Sequence, residues 1–195
     1  QSDAEWNVLN MLNARYVIGM DGSPLYNPEA YGNAWLVDSL VVVSTPDAEM
    51  AALSEINPRL TAVTDRQFAQ MLGTVTPPAP GDTIYETTYA PDRLTYRART
   101  ARGATAVFSE VYFPWGWKAT VDGEETPIAR VDYLLRAITL PAGDHEVVMT
   151  FSPVSVKRAD TLATVSVILI YLSVLGALGL ALRKYLASRP KPASK

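Results

Sequence analysis

The longest apolar stretch of the chain lies near its C-terminus. Residues 161–182 carry no charge, and their only polar side chains belong to Ser, Thr and one Tyr. As a helix these 22 residues extend about 33 Å, at roughly 1.5 Å per residue, whereas the hydrocarbon core of a bilayer is about 30 Å thick. The stretch therefore predicts a transmembrane helix.

The first part of the chain, residues 1–75, mixes helical and extended patterns. Trp6, Leu9 and Leu12 recur at helical spacing, which predicts a short amphipathic helix. The mostly apolar stretch at 34–43 predicts one long strand. A small mixed α/β subdomain follows from this alternation.

Capping residues mark two further helices in the same part. Thr45 followed by Pro46 predicts a helix start, because a Thr side chain caps free N–H groups and Pro suits the first turn. Thr64 with Gln67 has the spacing of a capping box, and it predicts a helix that ends at Gly73.

A proline cluster at residues 76–81 (Thr-Pro-Pro-Ala-Pro-Gly) divides the body of the chain. Three prolines and a glycine cannot continue a helix or a central strand. The cluster predicts a linker between the subdomain at 1–75 and a second one at 82–156.

After the cluster the hydrophobic period becomes two. Leu94, Tyr96 and Ala98 alternate with polar residues, as expected of a half-buried strand. Asp122-Gly123 has the composition of a hairpin turn. Further strands are predicted at 105–113, 118–121, 126–129, 132–140 and 145–151. The predicted fold class is α+β: a small mixed α/β N-terminal part, an antiparallel β-sandwich, then one C-terminal transmembrane helix.

The charge distribution predicts how the chain is oriented in the membrane. The formal net charge is −3, but residues up to Asp160 hold all twenty acidic and only twelve basic residues, a net charge of −8. Lys157 and Arg158 precede the apolar stretch, whereas five basic residues follow it at 183–195. The positive-inside rule predicts a basic cytoplasmic tail and an extracytoplasmic body. An acidic body also argues against a nucleic-acid partner.

Two features of the apolar stretch favour neighbouring helices. Tyr171 lies mid-span, where a hydroxyl facing lipid lacks a partner. Ser173, Ala177 and Ala181 form a stripe of small residues that allows close helix packing. With an opening that has neither Met nor an apolar leader, these features lead us to expect the C-terminal piece of a longer membrane protein. Removal of a signal peptide is the other reading.

Composition removes several classes of chemistry. The chain has no cysteine and one histidine, which excludes disulfides, thiolate zinc sites, catalytic thiols and paired imidazoles. No phosphate-binding Gly loop, nucleophile elbow or zinc-protease helix is present. We interpret His145, one residue past a turn, as a surface or strand-end residue. No catalytic residue, metal site or cofactor is predicted in this segment.

Glu110 is the carboxylate most suited to burial, because it lies among apolar residues of a predicted strand. We expect a structural ion pair with Arg130 or Arg136, since buried charges persist by pairing. A catalytic acid that acts with a second carboxylate in sugar hydrolysis is the less favoured reading.

The densest aromatic cluster is Tyr112-Phe-Pro-Trp115-Gly-Trp117. Trp and Tyr rings offer flat faces on which a sugar ring can stack, so Tyr112, Trp115 and Trp117 are candidate ligand-binding residues. Core packing at a bend between two sheets is the default reading of the same residues.

Two blocks of sequence resemble the YfhO-like family of bacterial membrane proteins. The first consists of Val8–Ile18, Asn27-Pro28 and Gly32–Val37. The second is Val107–Gly123, and it continues with Ile128–Arg130, Leu135–Ala137, Leu140–His145 and the terminal apolar span. The resemblance implies a polytopic protein of the type-C glycosyltransferase kind, whose catalytic acid lies in an early loop outside this segment.

The resemblance implies a scaffolding or acceptor-binding role for this segment in cell-envelope glycosylation of the lipoteichoic-acid type. Expected partners are the lipid bilayer, other helices of the parent protein, and an envelope glycan or lipid-linked sugar. The expected location is the bacterial cell membrane. The alternative is a stand-alone, membrane-anchored β-sandwich that binds glycan.

Overall fold

The structure is a computed structural model that describes residues 3–187. It divides into two compact units, Gln1–Phe151 (the body) and Ser152–Lys195. The fold class is α+β with antiparallel sheets and one C-terminal apolar helix, as predicted. Residues 188–195 of the predicted basic tail lie outside the described residues.

The elements are numbered in chain order. The helices are α1 (Asp3–Met11), α2 (Pro46–Leu53), α3 (Arg66–Leu72) and α4 (Val154–Ala187). The first strands are β1 (Tyr16–Ile18), β2 (Pro24–Tyr26), β3 (Ala34–Val37), β4 (Ser39–Val43), β5 (Thr61–Asp65) and β6 (Thr83–Ala90). The later strands are β7 (Arg93–Thr100), β8 (Ala104–Val111), β9 (Trp117–Val121), β10 (Glu124–Thr126), β11 (Ala129–Val131), β12 (Leu135–Leu140) and β13 (Gly143–Phe151).

A four-stranded sheet of order β11-β12-β8-β3 forms the middle layer of the body. Its central strands are buried on both faces. Along β8, Val107 belongs to a hydrophobic cluster on one face of the sheet, the first cluster. Ala106 and Phe108 belong to a hydrophobic cluster on the other face, the second cluster. Strand β12 divides in the same way between Leu135 and Ile138. Strands that are covered on both sides have nearly continuous apolar sequences, as these do.

One face of the middle sheet packs against a five-stranded sheet of order β10-β9-β13-β7-β6, the outer sheet. The predicted alternation along β7 is confirmed, because Leu94, Tyr96 and Ala98 are buried between the two sheets. The Tyr96 and Phe108 rings meet edge to face, with centroids 4.8 Å apart. These two sheets form the antiparallel sandwich.

The other face of the middle sheet is covered by the N-terminal layer. Strands β4 and β5 pair in parallel, and helix α3 contacts β11 and β12. Leu53, Val63 and Phe68 bring the apolar side chains of this layer into the first cluster. Trp35 is buried there as well, and its indole N–H donates to the Pro58 carbonyl at 3.1 Å.

The proline cluster does not separate two compact units. Strand β3 precedes the cluster, yet it is the edge strand of the middle sheet and aligns Trp35 with Val107 of β8. The body up to Phe151 is one unit, because the N-terminal layer and the sandwich share this sheet.

The single strand predicted at 34–43 is two strands, which join different sheets. The chain turns at Asp38, where the N–H groups of Asp38 and Ser39 donate to the Leu60 carbonyl at 2.7 and 3.3 Å. Strand β3 then pairs with β8 and β4 with β5. Apolar content alone could not show this change of partner.

The local capping signals are partly confirmed. Thr45 caps α2, accepting the Ala48 N–H at 3.2 Å. The predicted Thr64 cap is wrong: Asp65 caps α3 instead, accepting the Gln67 N–H at 2.8 Å. Thr64 is the fourth residue of β5, and its hydroxyl donates to the Arg130 carbonyl of β11.

The second unit consists mainly of α4. Its segment Arg158–Tyr185 is long and apolar enough to cross a membrane, and none of its most apolar window is buried within the chain. Large side chains are exposed all round the helix; Ile168, Leu169 and Ile170 are examples.

We expect the whole body to unfold as one cooperative unit. Leu53→Ala, in the N-terminal layer, should remove about 2–5 kcal/mol of stability. Because the middle sheet is shared, amides of β13 in the outer sheet should lose hydrogen-exchange protection together with those of β5, measured by mass spectrometry in detergent.

The matched control is Leu60→Ala, since Leu60 is 48% exposed and its truncation should change stability by no more than about 0.5 kcal/mol. Separate transitions, with β13 unaffected by Leu53→Ala, would show two independent domains.

Candidate functional site

A mainly apolar groove of about 380 Å³ lies beside the turn between β11 and β12. It is lined by Val8, Met11, Met50, Leu53, Ser54, Asp132, Tyr133 and Leu134. Val8, Met50 and Tyr133 are partly exposed, so the groove is open to solvent. One acidic residue, Asp132, interrupts this apolar lining.

Asp132 joins the middle sheet to the N-terminal layer. Its backbone N–H donates to the Val63 carbonyl at 2.7 Å, and its Oδ1 accepts the Val63 N–H at 2.8 Å. Asp132 and Tyr133 have φ angles of 50° and 70°, a left-handed turn that the predicted strand at 132–140 did not include. Strand β12 accordingly begins at Leu135.

Glu49 of α2 holds the same turn from the other side. It is fully buried; its Oε1 accepts the Tyr133 N–H at 2.8 Å, and its Oε2 accepts Arg130 Nη2 at 2.8 Å. The Thr64 hydroxyl donates to the Arg130 carbonyl at 2.6 Å. Neither acid was predicted from sequence to be buried and paired, because their partners Tyr133 and Val63 lie 84 and 69 residues away.

Burial dominates the electrostatics of the two acids. It raises the pKa of Asp132 to about 7, with a further rise from the Glu49 charge, while the Val63 hydrogen bond opposes the rise. Burial also raises the pKa of Glu49, against the hydrogen bond from Tyr133 and the Arg130 charge. Asp132 Oδ2 is buried without a hydrogen-bond partner in the described part of the chain. A proton on Asp132 removes an otherwise uncompensated charge.

The groove offers mainly apolar surface. The Ser54 hydroxyl donates to the Ala51 carbonyl at 2.6 Å, and no histidine lines the groove. Over residues 3–187, no group of three or more His, Asp or Glu side chains is arranged to hold a metal ion. Both buried acids are engaged in joining the layers.

The three candidate aromatic residues do not share one surface. Tyr112 packs in the first hydrophobic cluster, where its ring contacts Phe68 at 5.4 Å between centroids. Trp117 packs on the other face, in the second cluster. Trp115 lies between them in sequence and is 71% exposed. The bend therefore sends the three rings in different directions, and no three-ring platform is assembled.

The candidate ion-pair residues do not pair with one another in the described part of the chain. Arg130 pairs with Glu49 at 2.8 Å. Arg136 is buried, with its guanidinium carbon 4.1 Å from the Trp117 ring centroid and its Nε donating to the Val111 carbonyl at 3.0 Å. Burial raises the pKa of Glu110, and the Arg136 charge opposes that rise. No ion pair of Glu110 is present among the described residues.

His145 lies near the start of β13, but its side chain is only 12% exposed. Its Nδ1 is 2.6 Å from Oδ2 of Asp122, which lies in the predicted Asp-Gly turn. This hydrogen bond raises the pKa of His145 and lowers the pKa of Asp122. The partner was not found in sequence because the two residues are 23 positions apart.

The helix-packing candidates all lie exposed on α4. Tyr171 is 66% exposed, and the Ser173 hydroxyl donates to the Ile170 carbonyl within the helix at 2.7 Å. Ala177 and Ala181 complete the exposed stripe. Packing of this stripe against another helix stays a prediction.

Comparison of the chain with protein-family models, curated proteins and solved structures returns no match. The YfhO-like resemblance stays a prediction that depends on the two sequence blocks.

We expect Asp132→Asn to change the pH dependence of stability. The folded-state pKa of Asp132 is raised to about 7 from an ordinary value of 3.8, so between these pH values the folded chain holds a proton that the unfolded chain releases. This group makes the free energy of unfolding fall as pH rises through that window, by at most about 1.4 kcal/mol per pH unit. An asparagine side chain keeps an oxygen that accepts the Val63 N–H but does not titrate, so this contribution to the pH dependence of stability is lost.

Urea unfolding at a series of pH values measures the difference in slope between the two proteins. Glu49 is present in both, so its own titration cancels in the comparison to first order. Asp144→Asn, which alters a side chain that is 74% exposed, should keep the wild-type slope. Equal slopes in Asp132→Asn and wild type would contradict the assignment.

Proposed function

We propose that this chain is a membrane-anchored extracytoplasmic domain with a scaffolding or acceptor-binding role. The observation that carries the proposal is the exposure of α4. A core helix of a soluble protein is mostly buried, whereas the apolar window of α4 has no buried share. Each large apolar side chain left in water costs about 1.5–3 kcal/mol relative to burial, so this helix requires lipid around it.

The charge distribution supports an extracytoplasmic body. Basic residues concentrate after the span, and the acidic body precedes it. The flank of a membrane span that carries more Lys and Arg stays in the cytoplasm, and the flank with fewer is exported. The tail from 183 onwards is then cytoplasmic.

The body supports a binding and positioning role rather than chemistry of its own. Its buried acids are used to join layers, and its one histidine is bound to Asp122. The resemblance to YfhO-like proteins supplies the finer proposal: the domain serves a membrane-embedded, lipid-linked-sugar glycosyltransferase of envelope polymers. The small-residue stripe of α4 fits a helix that packs against others of such a protein.

Orientation is tested by cysteine accessibility, for which the cysteine-free chain is well suited. Ala101→Cys, on an exposed turn of the body, and Ser194→Cys, in the tail, are introduced into the gene at its own locus. A membrane-impermeant maleimide should label position 101 in intact cells and position 194 only after permeabilisation. The reverse pattern, or labelling of both in intact cells, would overturn the proposed topology.

The scaffolding role is tested by removing residues 1–151 in the native gene while α4 is retained. We expect envelope polymers to lose sugar substituents, measured by mass spectrometry of the released polymer. Immunoblotting of the membrane fraction controls for protein abundance. Unchanged sugar content at equal abundance would overturn the glycosylation role and leave the anchoring of the domain standing.

A further inference from the structure

The loop between β8 and β9 exposes large apolar side chains. Trp115 is 71% exposed, Phe113 is 44% exposed, and Val111 at the end of β8 is 58% exposed. The Phe113 and Trp115 rings meet edge to face with centroids 5.2 Å apart. We call residues 111–115 the aromatic loop. An exposed apolar cluster of this kind marks a contact site more often than a lone surface residue does.

The aromatic loop is attached to the last residue of the body. The Phe113 ring lies 6.3 Å from the Phe151 ring, and the Trp117 ring lies 5.3 Å from it. Phe151 is itself fixed in the outer sheet: it is paired with Trp117, and its N–H donates to the Asp92 carbonyl at 2.8 Å. The loop and the end of β13 therefore pack together at one corner of the body.

Chain connectivity limits the distance between Phe151 and the start of the candidate span. The candidate span begins at Arg158, seven residues after Phe151. A fully extended chain covers at most about 3.6 Å per residue, or about 25 Å for this connection. Helix α4 begins at Val154, and the smaller rise of a helix, about 1.5 Å per residue, shortens the reach further.

We propose that the aromatic loop lies in the interfacial region of the bilayer that α4 spans, with Trp115 as its anchoring side chain. The proposal rests on the proposed membrane span of α4. Trp is enriched at the level of the lipid headgroups because its ring is apolar and its N–H is polar. The occupant of this surface is the phospholipid interface.

The surroundings of Trp115 favour lipid over a sugar ring. Trp117, the nearest tryptophan, has Arg136 over its ring and Phe151 beside it. Phe113, the ring that does accompany Trp115, has no polar group to hydrogen-bond a sugar. An apolar pair with one indole N–H matches the boundary between headgroups and acyl chains.

The test uses single cysteines carrying an environment-sensitive fluorophore in the full chain, reconstituted into phosphatidylcholine vesicles. Quenching is by phosphatidylcholine that carries a nitroxide near the headgroup or, for the label within the span, near the middle of the acyl chain. Trp115→Cys reports the loop and Leu175→Cys reports the span. Tyr85→Cys is the matched control, because Tyr85 is an aromatic residue of β6 that is 58% exposed. In the outer sheet Tyr85 lies opposite Arg97 of β7, and Arg97 lies opposite Glu146 of β13, five residues before Phe151.

We expect the labels at positions 115 and 175 to lose most of their emission, and the label at position 85 to keep it. Quenching at 175 without quenching at 115 would overturn the interfacial loop and leave the membrane span intact. No quenching at 175 would overturn the span and the loop together. Equal quenching at 85 and 115 would show non-specific adsorption of the body and would also overturn the proposal.

The intrinsic tryptophan fluorescence of the unlabelled protein gives a second test of whether Trp115 contacts lipid. Brominated phosphatidylcholine should quench part of the wild-type tryptophan emission, and this part should be lost in Trp115→Phe. The substitution is at an exposed position, and an unchanged circular dichroism spectrum verifies the fold. Identical quenching of both proteins would overturn the role of Trp115.

Discussion

The body depends on a sheet that must be covered on both faces. Strands β8 and β12 present apolar side chains on each side, so neither the outer sheet nor the N-terminal layer alone can remove them from water. The hydrophobic cluster on each face includes side chains of this sheet. The chain up to Phe151 is consequently one compact unit, although a proline-rich segment runs through its middle.

The polar joint between the layers follows from the same constraint. A buried turn has backbone groups that must find partners, and Asp132 with Glu49 satisfies those of Val63 and Tyr133. Burial makes ionisation of Asp132 costly, and the charge of Glu49 adds to the cost, so the pKa of Asp132 is raised. The acids therefore contribute to the alignment of the layers.

The same architecture assigns different tasks to the two ends of the chain. The N-terminal layer covers one face of the middle sheet, whereas β13 is the last strand before α4. The rings of Phe113 and Trp117 pack beside Phe151, the last residue of β13. The proposed contact of the aromatic loop with lipid rests on this packing.

Local sequence determined the elements whose cause is local. A charge-free stretch defined α4, alternation defined β7, and Thr45 with Pro46 started α2, because hydrophobic period and capping act within a few residues. Tertiary structure decided the rest. Glu49 and Tyr133 are 84 residues apart, the strand at 34–43 breaks at Asp38 to join two sheets, and the rings of Tyr112 and Trp117 pack on opposite faces. These outcomes depend on which surfaces meet, and the free energy of that contact is absent from any short window of sequence.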